Sequence, residues 1–399
     1  MRVLFVIDSL GASGAEHSTA QLLPLLRDAG HDVAVATLYD AGYGDEERIR
    51  TAGFVVSPLE SGRFFGRVRE LRKRIRIWRP DVVHTALFSS DLVGRTAAWR
   101  TGAVIVSSLV STPYDEARLA DPAVSRWKVR LVQFLDLATA RLFVDRMHAV
   151  SPGAAPANAR ALRFDPARIG VVERGRSREN LGQPSAERKA RVRMALEVGD
   201  VKVVLAVGRQ EHAKRHADLV AAIDELVEIV PDVRLLIAGR EGNASPDLVR
   251  ALASHPRAAA VTTLLGHRHD VPDLLCAADV LAISSAFEGT AGAALEAMAL
   301  ECPVVCTAVE GVRGILTDKQ NALLVRPGSP GDLAKGLLRV LTDDELAADL
   351  RHHGRLDFEE RFTIEASAAN MIRFYESALA TRVRVASPET SEPPIVPIL

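Results

Sequence analysis

Short apolar runs alternate with segments of helical period along most of this chain, and they do so in two series. In the first, runs at residues 3–7, 31–37, 54–57, 81–84, 104–108, 147–150 and 169–172 are separated by helical patterns that include residues 67–78, 91–100 and 124–144. In the second, runs at residues 201–207, 233–238, 259–264, 279–284, 304–307 and 322–325 are separated by patterns that include residues 215–230 and 271–277. Runs this short and this continuously apolar read as strands buried on both faces. Strands that alternate with helices form a doubly wound parallel sheet, so the expected class is α/β with two such sheets. A length of 399 residues exceeds what one hydrophobic core supports.

Between the two series, residues 174–199 are charged and include Gly175, Gly182 and Pro184, which reads as a linker. The expected domains are therefore 1–180 and 181–363. Ser329 followed by Pro330, with Asp332 three residues after the serine, starts a helix well. Helices follow to about residue 381, the last of them, 364–381, joining the first domain. The segment 382–399, with its Ser-Pro-Glu-Thr-Ser-Glu-Pro-Pro, reads as a disordered tail. Two doubly wound domains place a ligand cleft between them, at the carboxyl ends of the strands.

One strand-to-helix turn, from Ser285 to Ala299, carries the chemistry. Gly289, Thr290, Ala291 and Gly292 stand where an apolar strand passes into an Ala/Leu/Met-rich helix. N–H groups at a helix start lack intrahelical partners and the helix dipole favours negative charge there, so the turn is an anion site. Glu288 precedes it and Glu296 follows. With the helix starting near Gly292, Glu296 lies roughly 6 Å from the anion at about 1.5 Å per residue. That suits a carboxylate accepting hydrogen bonds from a ribose joined to the phosphate, and an ion pair is not expected there. Arg209 and Lys214 follow the first strand of the same sheet, where a guanidinium fork and an ammonium point charge could hold a diphosphate.

Gly208-Arg209 followed by Lys214, Glu288 and Glu296 separated by seven residues, and Pro303-Val304-Val305 beyond them resemble glycosyltransferase family 4. These are retaining nucleotide-sugar enzymes of GT-B fold, with two Rossmann-like domains facing each other across a cleft. The resemblance reaches Phe374-Tyr375-Glu376 in the last helix. It implies that Arg209 and Lys214 neutralise the donor diphosphate, that Glu296 binds the ribose and that Glu288 contacts the transferred sugar. It also places Thr290, Ala291, Gly292 and Leu295 against the donor, with His267 and Arg268 framing its base. Gly11-Ala12-Ser13-Gly14-Ala15-Glu16 is similar to the family's Gly-Gly-Ala-Glu loop, with Ser13 in place of the first glycine, which puts Ser13 and Gly14 near the donor phosphates. His84 is a catalytic candidate at the end of a strand, although Ala86 stands where many relatives have a second histidine. The implied reaction moves a sugar from a nucleoside-diphosphate sugar to an acceptor that the sequence does not identify. It needs no metal or other cofactor, and attack from the leaving-group face needs no protein base.

A formal net charge of -1 argues against a partner bound through nucleic-acid phosphates. Cys276, Cys302 and Cys306 are too few for a disulfide framework and have no zinc-ligand spacing with histidine. No apolar run reaches about 18 residues, so no membrane span is expected and the cytoplasm is the expected compartment. The basic stretch 63–79 has an apolar stripe of Val68, Leu71, Ile75 and Trp78, with Arg67, Arg72, Lys73, Arg74 and Arg76 around it. It reads as a packed amphipathic helix or as a contact with an anionic membrane. Three rivals remain in view. A catalytically inactive sugar-nucleotide-binding protein would accommodate Ser13 and Ala86. A glycoside hydrolase has no use for a diphosphate cradle. A nicotinamide oxidoreductase needs a glycine fingerprint that Gly11 and Gly14 do not match.

Overall fold

The computed structural model describes residues 1–11, 14–42, 44–114 and 124–386, with side chains to residue 381. The first sheet holds β1 (Arg2–Ile7), β2 (Asp32–Thr37), β3 (Val55–Pro58), β4 (Val82–Ala86), β5 (Val104–Leu109), β6 (Arg146–Ala149) and β7 (Ile169–Val171), in the order β3-β2-β1-β4-β5-β6-β7. The second holds β8 (Lys202–Val207), β9 (Val233–Ala238), β10 (Thr262–Gly266), β11 (Val280–Ile283), β12 (Val304–Thr307) and β13 (Leu323–Val325), in the order β10-β9-β8-β11-β12-β13. Neighbouring strands pair in parallel. Both sheets reverse their winding beside their first strand, between β1 and β4 and between β8 and β11. Such switch points open a crevice beyond the carboxyl ends of the strands.

The central strands β1, β4, β5, β8, β9, β11 and β12 are buried on both faces, whereas the edge strand β10 is largely exposed. Val3, Phe5 and Ile7 of β1 pack under helix Gly14–Asp28, while Leu4 and Val6 face the layer containing helices Phe64–Trp78 and Phe88–Ala98. This explains why the runs are apolar throughout rather than alternating. The second sheet repeats the arrangement, with Val203 and Leu205 in one cluster and Val204 and Ala206 in another.

Two expectations need correction. Residues 259–261 belong to helix Pro256–Val261, and β10 starts only at Thr262, because Pro256 is placed to open a helix. The stretch 174–199 is also more than a linker, since it forms helices Arg178–Leu181 and Ala186–Ala195. The Ser185 side chain caps the second by accepting from the Arg188 N–H. Arg188 Nε meets Asp273 Oδ1 at 2.6 Å and Lys189 Nζ meets Asp279 Oδ1 at 2.9 Å, so charge rather than an apolar stripe fixes this helix.

Helix Ile364–Ala386 returns to the first sheet, where Ala368, Met371, Phe374, Tyr375 and Ala378 join its core. It runs past the predicted end at 381, so the proposed tail starts later than 382; residues 387–399 lie outside the described residues. A chain of hydrogen bonds ties this helix to the strands. Tyr375 Oη donates to His84 Nδ1 at 2.5 Å, and His84 Nε2 donates to Ser108 Oγ at 2.7 Å. Ser108 Oγ then donates to His148 Nδ1 at 2.8 Å, and His148 Nε2 donates to the Val172 carbonyl at 2.9 Å. We assign these directions because the terminal carbonyl can only accept, which fixes both tautomers in turn. Both rings are neutral: burial pushes His84 well below the usual imidazole range and takes His148 to about 4.

Candidate functional site

A cavity of about 410 Å3 lies at the carboxyl ends of β8, β9 and β11, facing the first domain. Arg209 and Lys214 reach it from the loop after β8, Arg240 from β9, and Ser285, Glu288, Ala291 and Gly292 from the turn after β11. The turn feeds helix Gly292–Ala299, whose first residue lines the cavity. Lys214 Nζ donates to Glu288 Oε1 at 2.5 Å, and Ser285 Oγ donates to the same oxygen at 2.6 Å. Thr307 Oγ1, from the end of β12, donates to the Ser285 carbonyl at 2.6 Å and so braces the loop. Arg209 is half exposed, with Nε 2.9 Å from Glu211 Oε1. Arg176, Arg209, Lys214, Arg240 and Arg268 outnumber the lining carboxylates Glu211, Glu288 and Glu296, a surplus suited to an anion.

The structure brings Gly14, Arg209, Lys214, His267, Arg268, Glu288, Ala291, Gly292 and Glu296 to this one cavity. Three predicted residues lie elsewhere. Thr290 is 2% exposed and directs its hydroxyl at the Val150 carbonyl of the first domain, 3.5 Å away. Leu295 is fully buried in the core of the second sheet. His84, 2% exposed, is a link in the hydrogen-bond chain to Tyr375 and does not line this cavity. Ser13 lies outside the described residues. Arg268 forms a fork to Asp270, Nε to Oδ1 at 2.8 Å and Nη2 to Oδ2 at 2.6 Å, while the His267 and His269 rings meet edge to face at 4.5 Å. Cys276, Cys302 and Cys306 are buried and unpaired.

Glu296 departs from expectation, because it is ion-paired. Arg176 Nε donates to its Oε1 at 2.8 Å, and the arginine side chain is only 5% exposed. Arg176 belongs to the crossing between the domains, where its N–H also donates to the Phe362 carbonyl at 2.9 Å. Gly292 makes room: a Cβ there would collide with the Arg176 guanidinium. Gly289, by contrast, approaches the first domain rather than a ligand, since a Cβ on it would lie 3.0 Å from the Val110 carbonyl carbon. Ser151 Oγ donates to the Gly289 carbonyl at 2.9 Å across the same contact. Sequence reasoning missed Arg176, Arg240 and His216 as lining residues. A position soon after a strand end was the available signal for Arg240, after β9, and Arg176, after β7; His216, well beyond the end of β8, offered none.

Two facing Rossmann-like domains with an anion-ready cavity on the second define the GT-B architecture. The chain belongs to glycosyltransferase family 4: residues 12–179 match the domain described by that name, and residues 189–357 match the domain described as glycosyl transferases group 1. It is 31% identical over 314 residues to a D-inositol 3-phosphate glycosyltransferase of Xylanimonas cellulosilytica, covering 76% of this chain and 73% of that one. It is 32% identical over 188 residues to the protein of that name from Corynebacterium aurimucosum, covering 46% of this chain and 44% of that one. For several curated relatives, the match spans about half of the relative's length. Among solved structures, HepE of Anabaena in complex with UDP has a TM-score of 0.82 at 20% identity, covering 94% of this chain and 100% of that one, a likeness of fold. No helix among the described residues is long and apolar enough to cross a membrane.

Proposed function

We propose that this chain is a retaining, metal-independent glycosyltransferase that takes its sugar from a nucleoside-diphosphate donor. The observation that carries the reading is the convergence of Arg209, Lys214 and the start of helix Gly292–Ala299 on one cavity at a topological switch point. The similarity to HepE, solved with UDP, points the same way. As the glycosidic bond breaks, the departing diphosphate gathers charge that these fixed cations and N–H groups are already aimed at. The acceptor oxygen attacks the face the diphosphate leaves, and its proton passes to a departing phosphate oxygen. Glu288, held by Lys214 and Ser285, is set to contact the transferred sugar, and Glu296 keeps Oε2 for the ribose. A cavity of about 500 Å3 on the first domain, lined by Phe88, Tyr114, Lys128 and Asn158 among others, is the proposed acceptor side.

The test is slow donor hydrolysis by purified protein in EDTA. Hydrolysis lost in Glu288→Ala supports the reading; tight donor binding with no turnover on any acceptor pool favours the inactive binding protein.

We also propose a peripheral contact with anionic lipid. Arg72 is occupied by the Thr96 and Ala97 carbonyls and Arg74 by those of Ser57 and Pro58, so neither serves a membrane. Exposed Phe65 and Ile77, with Arg69, Lys73 and Arg76, remain on that helix. Helix Arg126–Phe143 adds exposed Trp127, Leu131, Phe134 and Leu142 beside Lys128, Arg130 and Arg141. Co-sedimentation with phosphatidylserine vesicles is expected and should fall when Arg69, Lys73 and Arg76 become Gln; no binding by the wild type ends the idea.

A further inference from the structure

Arg174 is a cation of the cleft region, on the first-domain side, that the proposed reaction leaves without work. It follows β7 and is half-buried, with Nη1 3.8 Å from where a Cβ on Gly14 would stand. It borders a small cavity lined by Ser18, Ser108, Val110 and His148 of the first domain. Among the described residues its guanidinium makes no hydrogen bond and no ion pair. The carboxylates near it are taken, Glu288 by Lys214 and Ser285, and Glu296 by Arg176. Arg176 also reaches Ser18 Oγ at 3.3 Å, so two arginines of the interdomain crossing flank the start of helix Gly14–Asp28. Burial takes the Arg174 guanidinium down to about 9, Arg176 pushes the same way, and Glu288 opposes.

A half-buried guanidinium with no protein partner is open to a ligand, and a carboxylate or phosphate is the partner that its fork fits. The diphosphate cradle stands on the second domain, at Arg209, Lys214 and Gly292, whereas Arg174 stands on the first-domain side, within electrostatic reach of Glu288. We propose that Arg174, backed by Arg176, binds a second anionic group, a carboxylate or phosphate carried by the transferred sugar or by the acceptor. The inference rests on the transferase reading. It makes Arg174 a determinant of specificity, selecting a charged sugar or a charged acceptor over its neutral counterpart.

The experiment starts from whichever of uridine, guanosine, adenosine or thymidine diphosphate binds. Hydrolysis of its glucose and glucuronate conjugates is compared in wild type and Arg174→Ala, and glucose 6-phosphate is compared with glucose as acceptor. The wild type should favour the charged partner at least tenfold in one arm, and that arm names the source of the anion. Arg174→Ala should erase the preference while changing affinity for the free diphosphate less than threefold. Arg174→Met should melt no lower than the wild type, since it removes an unpaired charge. Equal use of charged and neutral partners in both arms overturns the proposal. So does a tenfold loss of free-diphosphate affinity in Arg174→Ala, which would assign the residue to the diphosphate cradle. If no diphosphate binds, the transferase reading fails first and this one with it.

Discussion

Gly289→Ala should slow the reaction without removing a single catalytic or phosphate-binding group. The added Cβ would lie 3.0 Å from the Val110 carbonyl carbon and 3.1 Å from Ser111 Cα, and closer still to the Val110 oxygen. Relaxed contacts sit at about 3.5–4 Å for carbon pairs and slightly less for carbon on oxygen, and the Val110 oxygen is the nearest atom, so the two backbones must part by roughly 1 Å or more. The contact joins the domains, and Glu288 is the adjoining residue, so the displacement falls between the donor cavity and the first domain. A misplacement of ~1 Å can cost ~100-fold in rate. The assay is steady-state transfer or donor hydrolysis beside calorimetric titration of the diphosphate. The expected result is a fall in kcat on the order of 100-fold with diphosphate affinity within about threefold, because Arg209 and Lys214 are untouched. Gly62→Ala, where a Cβ meets nothing within 4 Å, should behave as wild type. Wild-type kcat in Gly289→Ala would refute the claim that this contact sets the reacting geometry.

Arg209→Ala should weaken diphosphate binding ~10–100-fold, the range of a lost charge-assisted contact, measured by titration calorimetry; an unchanged Kd would remove Arg209 from the cradle. Tyr375→Phe leaves His84 Nδ1 without its donor and should cost ~1–3 kcal/mol in urea unfolding with kcat little changed, whereas a large kcat loss at unchanged stability would return His84 to catalysis. Burial, and Lys214 beside it, hold His216 down at about 4. The unfolded chain protonates it below about 6.5 and the native state only near 4, so stability falls as pH drops through that window. His216→Gln should therefore lose roughly 2 kcal/mol less than wild type between pH 7 and 5; an equal loss refutes the neutral native histidine. The difference between the two proteins cancels the opposing titration of Asp91, which burial pushes up to about 7.

The central strands were legible because they are buried on both faces and short enough to stand out between helical periods, whereas the start of exposed β10 was not. The turn after β11 was legible because glycines, glutamates and helix formers lie within one local stretch. What escaped depends on neighbours far along the chain. Helix Ala186–Ala195 is fixed by Asp273 and Asp279, not by an apolar stripe. Arg176 was hidden in a charged crossing, and its pairing with Glu296 needs the space Gly292 leaves. His84 looked like a cleft residue until Tyr375 closed over it. Leu295 and Glu296 are adjacent, but about 100° of helix rotation sends one into the core and the other to the cavity.

The central claim is that a nucleoside diphosphate binds where Arg209, Lys214 and the helix at Gly292 converge. Thermal unfolding in the presence of uridine, guanosine, adenosine and thymidine diphosphates measures this directly. One of them should raise the midpoint with concentration, approaching about 2.7 kcal/mol of added stability at 100 times its Kd. No shift with any of the four, in protein with Arg209 and Lys214 intact, would contradict the account.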